Sequence, residues 1–354
     1  MLPRDVVSIG LPAPAARDLE DVMPVPGVMV PASELFCHPS RLANVYEPEV
    51  ERVRQRAFLI PGENVIATIR RDTAPPYDRQ VPVGWRGRLA ARVEALRRGP
   101  CLDLGERLAY DARPVFNGNM AHLVQHHLAN LGYLRERLGH GPGDVAVILE
   151  ARPAALALQV FSLLGYEVVA TDLAVRANLA HIAVGQFFHL LPWVRHLDLP
   201  GWVADTPARV FVSRRDSRRL TNEAEIEARL RERGFEKVYF EDMAIVEQWS
   251  TLRNALQVVA IHGAALGCLA FQAARSDGRR TRLVELFGAG FVVNPYRKFM
   301  AVLGGKWVGC RGRITPEVVR DIDAPGRAKA HAFDDFEVAG SVVDEALEFV
   351  GGLS

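Results

Sequence analysis

The stretch Val258–Phe271, VVAIHGAALGCLAF, constrains this chain more than any other. Four apolar residues end in His262-Gly263-Ala264, and an apolar run rich in small residues follows. That order predicts a buried parallel strand, a tight turn and the first turn of a helix. Gly263 lets the backbone turn sharply and approach a ligand closely. The unpaired N–H groups and positive dipole end of the next helix then form an anion site suited to a phosphate or diphosphate. Many α/β proteins carry a strand-Gly-helix turn that binds nothing, so the flanking sequence has to decide.

On both sides of this loop the pattern alternates. Strands are expected at 209–213, 237–240, 258–261, 282–287 and 306–309, with helices at 222–233, 245–255, 264–273 and 296–303 between them. Strand-helix alternation of this kind argues for a doubly wound parallel sheet. The first half repeats the scheme less clearly. Residues 1–50 read as an irregular arm or a pair of short strands, 57–80 as strand and turn, and 83–98 as partly helical. Leu123, Leu128, Leu131, Leu134 and Leu138 fall at helical spacings within 119–138, and Val145–Leu149 is a buried strand. A helix over 153–164 and a short strand over 166–171 follow. Pro192, Pro200, Gly201 and Pro207 interrupt the pattern, which puts the linker between two domains there. With 354 residues, each half is large enough to bury its own core. A ligand in such a tandem sits in the cleft, at the carboxyl ends of the strands.

Composition excludes several classes. The net charge of +1 implies no field for nucleic acid. No apolar run is long enough to span a bilayer, and the N-terminus lacks the apolar core of a secretion signal. Cys37, Cys101, Cys268 and Cys310 are far apart and form no CxxC pair, so free thiols in a reducing cytoplasm are expected. Arg-rich, Lys-poor usage suggests a GC-rich bacterial genome.

Three further constellations could carry chemistry. Phe211–Asp216 runs a strand into charges, Arg214 and Arg215, with Arg218 and Arg219 behind. Arginine at a strand's carboxyl end suits a diphosphate, although a solvated basic turn reads the same way. Glu285 ends an apolar strand, where it can accept from ribose hydroxyls or pair with Arg282 or Arg297. His122 and His126 are four residues apart, on one helix face. Metal ligation, ordinary packing and a proton-accepting role in a cleft all remain open for them.

Taken in order, these blocks resemble glycosyltransferase family 61. The family's core runs from a strand ending in Ser-Arg, here Ser213-Arg214, through an Asn-Glu helix start, a Gly-Phe turn and a Glu-Gln pair. Those are Asn222-Glu223, Gly234-Phe235 and Glu247-Gln248. It ends at His-Gly-Ala, here His262-Gly263-Ala264, followed by a Glu-containing strand matching Val284–Phe287. Upstream, Asn119–Leu131 resembles the family's Asn-x-x-His helix. Ala265 stands where the family has its second loop glycine, and Gly267-Cys268 where it has Thr-Asn.

The resemblance implies an α/β fold of GT-B type, with two Rossmann-like domains facing across a cleft. Residues 1–195 form an acceptor-side domain and 196–335 a nucleotide-sugar-binding domain. Residues 336–354 are expected to form a helix packing back on the N-terminal domain. It implies an inverting glycosyltransferase with no required metal and no cofactor. A nucleoside-diphosphate sugar, expected to be a UDP-sugar, serves as co-substrate. The acceptor is a glycan or glycolipid of bacterial surface polysaccharide synthesis. The protein would lie in the cytoplasm, at the inner face of the membrane as a peripheral association. Arg214, Arg215, His262, Gly263, Ala264 and Ala265 are assigned to the diphosphate and Glu285 to the ribose. His122 and His126 are the candidate bases, with Asp111 behind them. A nucleotide-sugar epimerase, or a non-catalytic binding subunit descended from a transferase, are the alternatives.

Overall fold

A computed structural model of the chain describes residues 6–10, 28–29, 64–77, 100–115, 117–183, 190–272, 281–291, 295–313, 315, 317–318, 321 and 330–352. The helix expected over 83–98, and Cys37, lie outside the described residues. The structure is mixed α/β, with parallel strands in two six-stranded sheets. The chain divides into two compact units. One comprises Met1–Ala15 with Ile60–Gly201, the other Ala16–Leu59 with Trp202–Ser354.

In the first unit the strands are β1 (Val6–Gly10), β3 (Asn64–Ala74), β4 (Cys101–Asp111), β5 (Val145–Leu149), β6 (Glu167–Ala170) and β7 (Ala174–Ala183). Their order across the sheet is β1-β3-β7-β4-β5-β6. The β7-β4-β5-β6 side is parallel, whereas β1 and β3 pair antiparallel. The strands β4 and β7 carry no simple apolar run, which hid them from pattern reading. In β4 only Ala109 and Tyr110 are buried, near the carboxyl end. A continuous helical run, α1, spans Met120–His122, Leu123–Leu128 and Ala129–Leu138, and α2 is Ala155–Leu163. The middle segment of α1 is a π-helix, which the leucine spacing did not foretell.

The segment Leu191–His196, a tight 3₁₀ turn, packs against Ala129–Leu138 and keeps this stretch with the first unit. Gly132 makes that approach possible, because a methyl group there would press into the backbone carbonyl of Trp193.

The second unit orders its strands β2-β12-β11-β10-β8-β9. They are β2 (Val28–Met29), β8 (Arg209–Ser213), β9 (Glu236–Tyr239), β10 (Gln257–Ile261), β11 (Arg282–Phe287) and β12 (Lys306–Arg311). All neighbours are parallel except β2, which runs antiparallel along β12. The helices α3 (Glu223–Glu232), α4 (Ile245–Asn254) and α5 (Pro295–Leu303) fall where the periodicity put them. The segment after the His262 loop differs, since Ala264–Phe271 is a 3₁₀ helix rather than an α-helix.

The C-terminal helix α6 (Gly340–Gly352) packs within the second unit. Val343, Ala346, Leu347 and Val350 join Val259, Val284, Leu286 and Val308 in one core. An apolar helix stripe and an apolar sheet face of the same unit bury one another, which is the reason for this placement.

Alanine in place of glycine inside a helix normally stabilises by about 1 kcal/mol. At Gly132 the sign should reverse, since overpacking against backbone costs about 1–3 kcal/mol. Urea unfolding of Gly132→Ala should show a lower midpoint than the unaltered protein, and an unchanged or higher midpoint would refute the close packing.

Candidate functional site

In a strand, successive side chains point to opposite faces. In β11, Val284 and Leu286 take the face that packs on α6, so Leu283, Glu285 and Phe287 take the other. The ladder sets Glu285 between Ala260 of β10 and Gly309 of β12. Both neighbours are small, and each is followed or preceded at two residues by a partner that reaches the carboxylate. His262 Nδ1 lies 2.6 Å from Glu285 Oε1. Trp307 Nε1 donates to Oε2 at 2.7 Å. Gly309 is needed here, because a Cβ would stand 2.8 Å from the Trp307 ring. Glu285 is fully buried, with a partner on each oxygen. The carboxylate assigned from sequence to a ribose thus has each oxygen held by a side chain of its own unit. Its hydrogen-bond partners are His262 and Trp307.

The His262 ring stacks on Phe287 at 5.2 Å, as the period-two register requires. Phe291 and Tyr296 close in at 5.5 and 5.6 Å. On the backbone side, the His262 carbonyl accepts from two guanidinium groups, Arg214 Nη1 and Arg218 Nη1, each at 3.2 Å. Gly263 is extended, at φ 178° and ψ 174°, so the expected sharp turn is not what demands glycine. A Cβ there would lie 2.5 Å from Arg214 Nη1, so the guanidinium would have to shift. Ala264 and Ala265 follow, half-buried, at the start of the 3₁₀ helix. Cys268 is fully buried, and burial pushes its thiol far up.

Arg218, noted from sequence behind Arg214 and Arg215 but given no role, completes the cluster. It has φ 59°, rare for a side chain with a Cβ. The segment 330–336 holds it there. Arg218 Nε donates to Ala332 O at 2.7 Å and its backbone N–H to Phe333 O at 3.2 Å. The guanidinium lies over Phe291 and Phe333, 4.7 and 4.8 Å from the ring centroids, with Phe333 65% exposed. Burial, and then the charge of Arg214, bring the Arg218 pKa down to about 10. Neither Arg214 nor Arg218 has a carboxylate partner among the described residues.

Arg215, assigned from sequence to the diphosphate, meets other partners. It pairs with Asp242 and lies 3.8 Å over the Tyr239 ring, because strand β8 ends there and alternate side chains diverge. Arg219 pairs with Asp335. Beside Arg219, a cavity of about 420 Å³ is lined by Gly288, Gly290, Arg313, His331 and Phe336 among others. His331 joins Asp334 at 2.6 Å through Nδ1 and Asp321 at 3.2 Å through Nε2. That pairing fastens the segment that holds Arg218.

In the first unit, Asp111 ends β4 and is committed to Arg113, with Nε and Nη2 at 2.8 and 3.0 Å. Arg113 is almost wholly buried and also donates to the carbonyls of Leu173 and Pro75. Asp111, the further candidate base from sequence, is thus ion-paired with Arg113. His122 and His126 do come together, stacked at 5.7 Å with 12° between ring planes. Asn119 caps their helix, accepting from the N–H groups of Ala121 and His122. Burial lowers the His122 pKa, and burial together with His122 brings His126 to about 4. Asn117 and Glu150, a buried pair at 3.1 Å just past the ends of β4 and β5, had no signal in the sequence. Among the described residues no group of three or more His, Cys, Asp or Glu is placed to hold a metal ion.

The family model described as Glycosyltransferase 61 matches residues 11–277, more than half of the chain. No match was found among curated proteins.

The Asp334 carboxylate beside His331, and then Asp321, raise its pKa above the ordinary value of about 6.5. A raised folded-state pKa contributes stability that is full below about pH 6.5 and lost as pH rises through the folded value. The melting temperature of the unaltered protein should therefore exceed that of His331→Gln most at acidic pH, and the gap should narrow toward alkaline pH. A gap that stays constant from pH 5.5 to 9 would refute the ion pairing.

Proposed function

The chain belongs to the glycosyltransferase 61 family, and on that premise we propose that its second unit binds a nucleoside-diphosphate sugar through Arg214 and Arg218. The convergence of these two guanidinium groups on the His262 carbonyl carries the reading. Two cations held together with no carboxylate partner among the described residues repel one another, and a dianionic group relieves that repulsion. The planar forks suit phosphate oxygens, and the N–H groups opening the segment at Ala264 add donors for the same charge. The strained backbone at Arg218 is consistent with a functional constraint.

The sugar passes from the diphosphate, read as that of a uridine nucleotide, to a hydroxyl of a glycan or glycolipid, with inversion at the anomeric carbon. The acceptor oxygen attacks opposite the departing diphosphate, whose charge the two arginines stabilise. In this reading the two units work as a GT-B pair, donor on the second and acceptor on the first. His122 takes the acceptor proton. Its depression is smaller than that of His126, so it is the better matched base near neutral pH. No helix among the described residues is long and apolar enough to cross a membrane. A cytoplasmic protein meeting a lipid-linked acceptor at the membrane's inner face, in bacterial surface polysaccharide synthesis, fits this reading.

Loss of a charge-assisted hydrogen bond costs on the order of 1.5–3 kcal/mol, or roughly 10- to 100-fold in affinity. Calorimetric titration with UDP should show that loss in Arg214→Ala and again in Arg218→Ala, while Arg215→Ala binds like the unaltered protein. Affinities within twofold in both of the first two variants would remove the diphosphate from this site. UDP binding should also persist in EDTA, because fixed cations supply the charge. Binding abolished by EDTA and restored by Mn²⁺ would overturn that point.

A further inference from the structure

Phe333 is the most exposed large apolar side chain among the described residues, and nothing above gives it a role. It stands on the segment 330–336, which is tied down along its length. Phe333 O accepts from the Arg218 N–H, the Phe336 N–H donates to Arg219 O, and the Thr221 N–H donates to Phe336 O. Asp335 pairs with Arg219, and His331 joins Asp334 and Asp321. Exposure alone would mean little, since single apolar side chains are common on protein surfaces. Position is what distinguishes this ring. The Arg218 guanidinium lies over one of its faces, 4.8 Å from the centroid, so the exposed area belongs to the other face and the edge.

We infer that the outer face of Phe333 stacks the nucleobase of the donor, which makes Phe333 a binding residue for the nucleoside half of the substrate. The inference rests on the nucleotide-sugar reading above. In a nucleoside diphosphate the ribose separates the base from the phosphates. A base whose diphosphate sits on Arg214 and Arg218 therefore needs a surface close to those cations but not on them. Phe333 offers one, touching Arg218 on one side and open on the other. Every base has a π face, so an aromatic ring serves as a platform for it. The hydrogen bonds along 218–221 fix the backbone that carries the ring, so little ordering is left to be done when the base arrives.

The surroundings favour a small flat ligand over a lipid or a protein face. Those partners ask for a continuous apolar patch. The other large exposed apolar residues among the described ones are Leu158 and Leu173 in the first unit and Val203 in the second, none of them on this segment. Around Phe333 stand Arg218, His331, Asp334 and Asp335 instead. A single ring set among charges suits a ligand with an apolar face and polar edges, which describes a pyrimidine. A sugar ring also packs on aromatic faces, and the test separates the two.

The test titrates the full chain calorimetrically with UDP, UDP-glucose and inorganic pyrophosphate. Phe333→Leu keeps an apolar side chain but removes the π face. Its affinity for UDP and for UDP-glucose should each fall about tenfold, while pyrophosphate binds within about twofold of the unaltered protein. Equal losses for UDP and pyrophosphate overturn the inference, because the ring then only steers Arg218. A loss confined to UDP-glucose overturns it in favour of the sugar. Phe333→Trp supplies an independent arm. It should bind UDP at least as well as the unaltered protein, and UDP, but not pyrophosphate, should quench the fluorescence of the added tryptophan. UDP binding without that quenching places the base elsewhere and overturns the inference. If the unaltered protein binds neither UDP nor UDP-glucose, the nucleotide reading falls and takes the stacking with it. If UDP binding depends on Arg214 and Arg218 but is unchanged in Phe333→Leu, the stacking alone falls.

Discussion

A carboxylate buried in the middle of a parallel sheet must find partners, because removing it from water costs several kcal/mol. Glu285 is that carboxylate, and its needs organise the second unit. The register of β10, β11 and β12 brings small Ala260 and Gly309 alongside it, leaving room for His262 and Trp307 to reach across. One slip of a single residue in either ladder would turn Glu285 toward α6 and the apolar core. The same register that satisfies the charge therefore fixes which face carries chemistry and which carries packing.

Beyond the strand ends, backbone and side chain of His262 act in different directions. The carbonyl gathers Arg214 and Arg218, while the ring is held from below by Glu285 and from the side by Phe287, Phe291 and Tyr296. Arg218 reaches this place only because the segment 330–336 grips its backbone and Nε, and that segment is itself pinned by His331 and by Asp335 on Arg219. A positive φ at Arg218 costs on the order of 1 kcal/mol, and this hydrogen-bonded support offsets it. The first unit solves its own buried-charge problem separately, with Asp111 neutralising Arg113 where the strand ends and loop carbonyls converge.

Much of the second unit was legible before any coordinates. The strand Arg282–Phe287 lies where its apolar run put it, and the helices at 223–232 and 245–254 follow their 3.6-residue spacing. Such patterns are local, so they survive reading one segment at a time. The strand β4 was missed because it is largely exposed and carries charges along its length, and β7 because small alanines and the polar Arg176 and Asn178 dilute its buried stripe of Val175, Ala177 and Leu179. The π-helical segment around His126 and the 3₁₀ helix after Gly263 were also unreadable. Helix type depends on which carbonyl each N–H finds, and side-chain periodicity barely changes with it.

At the site, the sequence by itself determined that a glycine loop follows a buried strand at His262, and that an arginine stands where the neighbouring strand ends at Ser213. Both are consequences of strand-turn-helix order in a few adjacent residues. Only the tertiary structure decided that Glu285 belongs to His262 and Trp307, that Arg218 rather than Arg215 joins Arg214, and that Asp111 serves Arg113. These choices are made by sheet register and by a strap more than one hundred residues away in the chain, as the Arg218–Ala332 hydrogen bond shows. Charge partners are selected by distance in space, and a linear pattern of residues carries no measure of that distance until the strands are aligned.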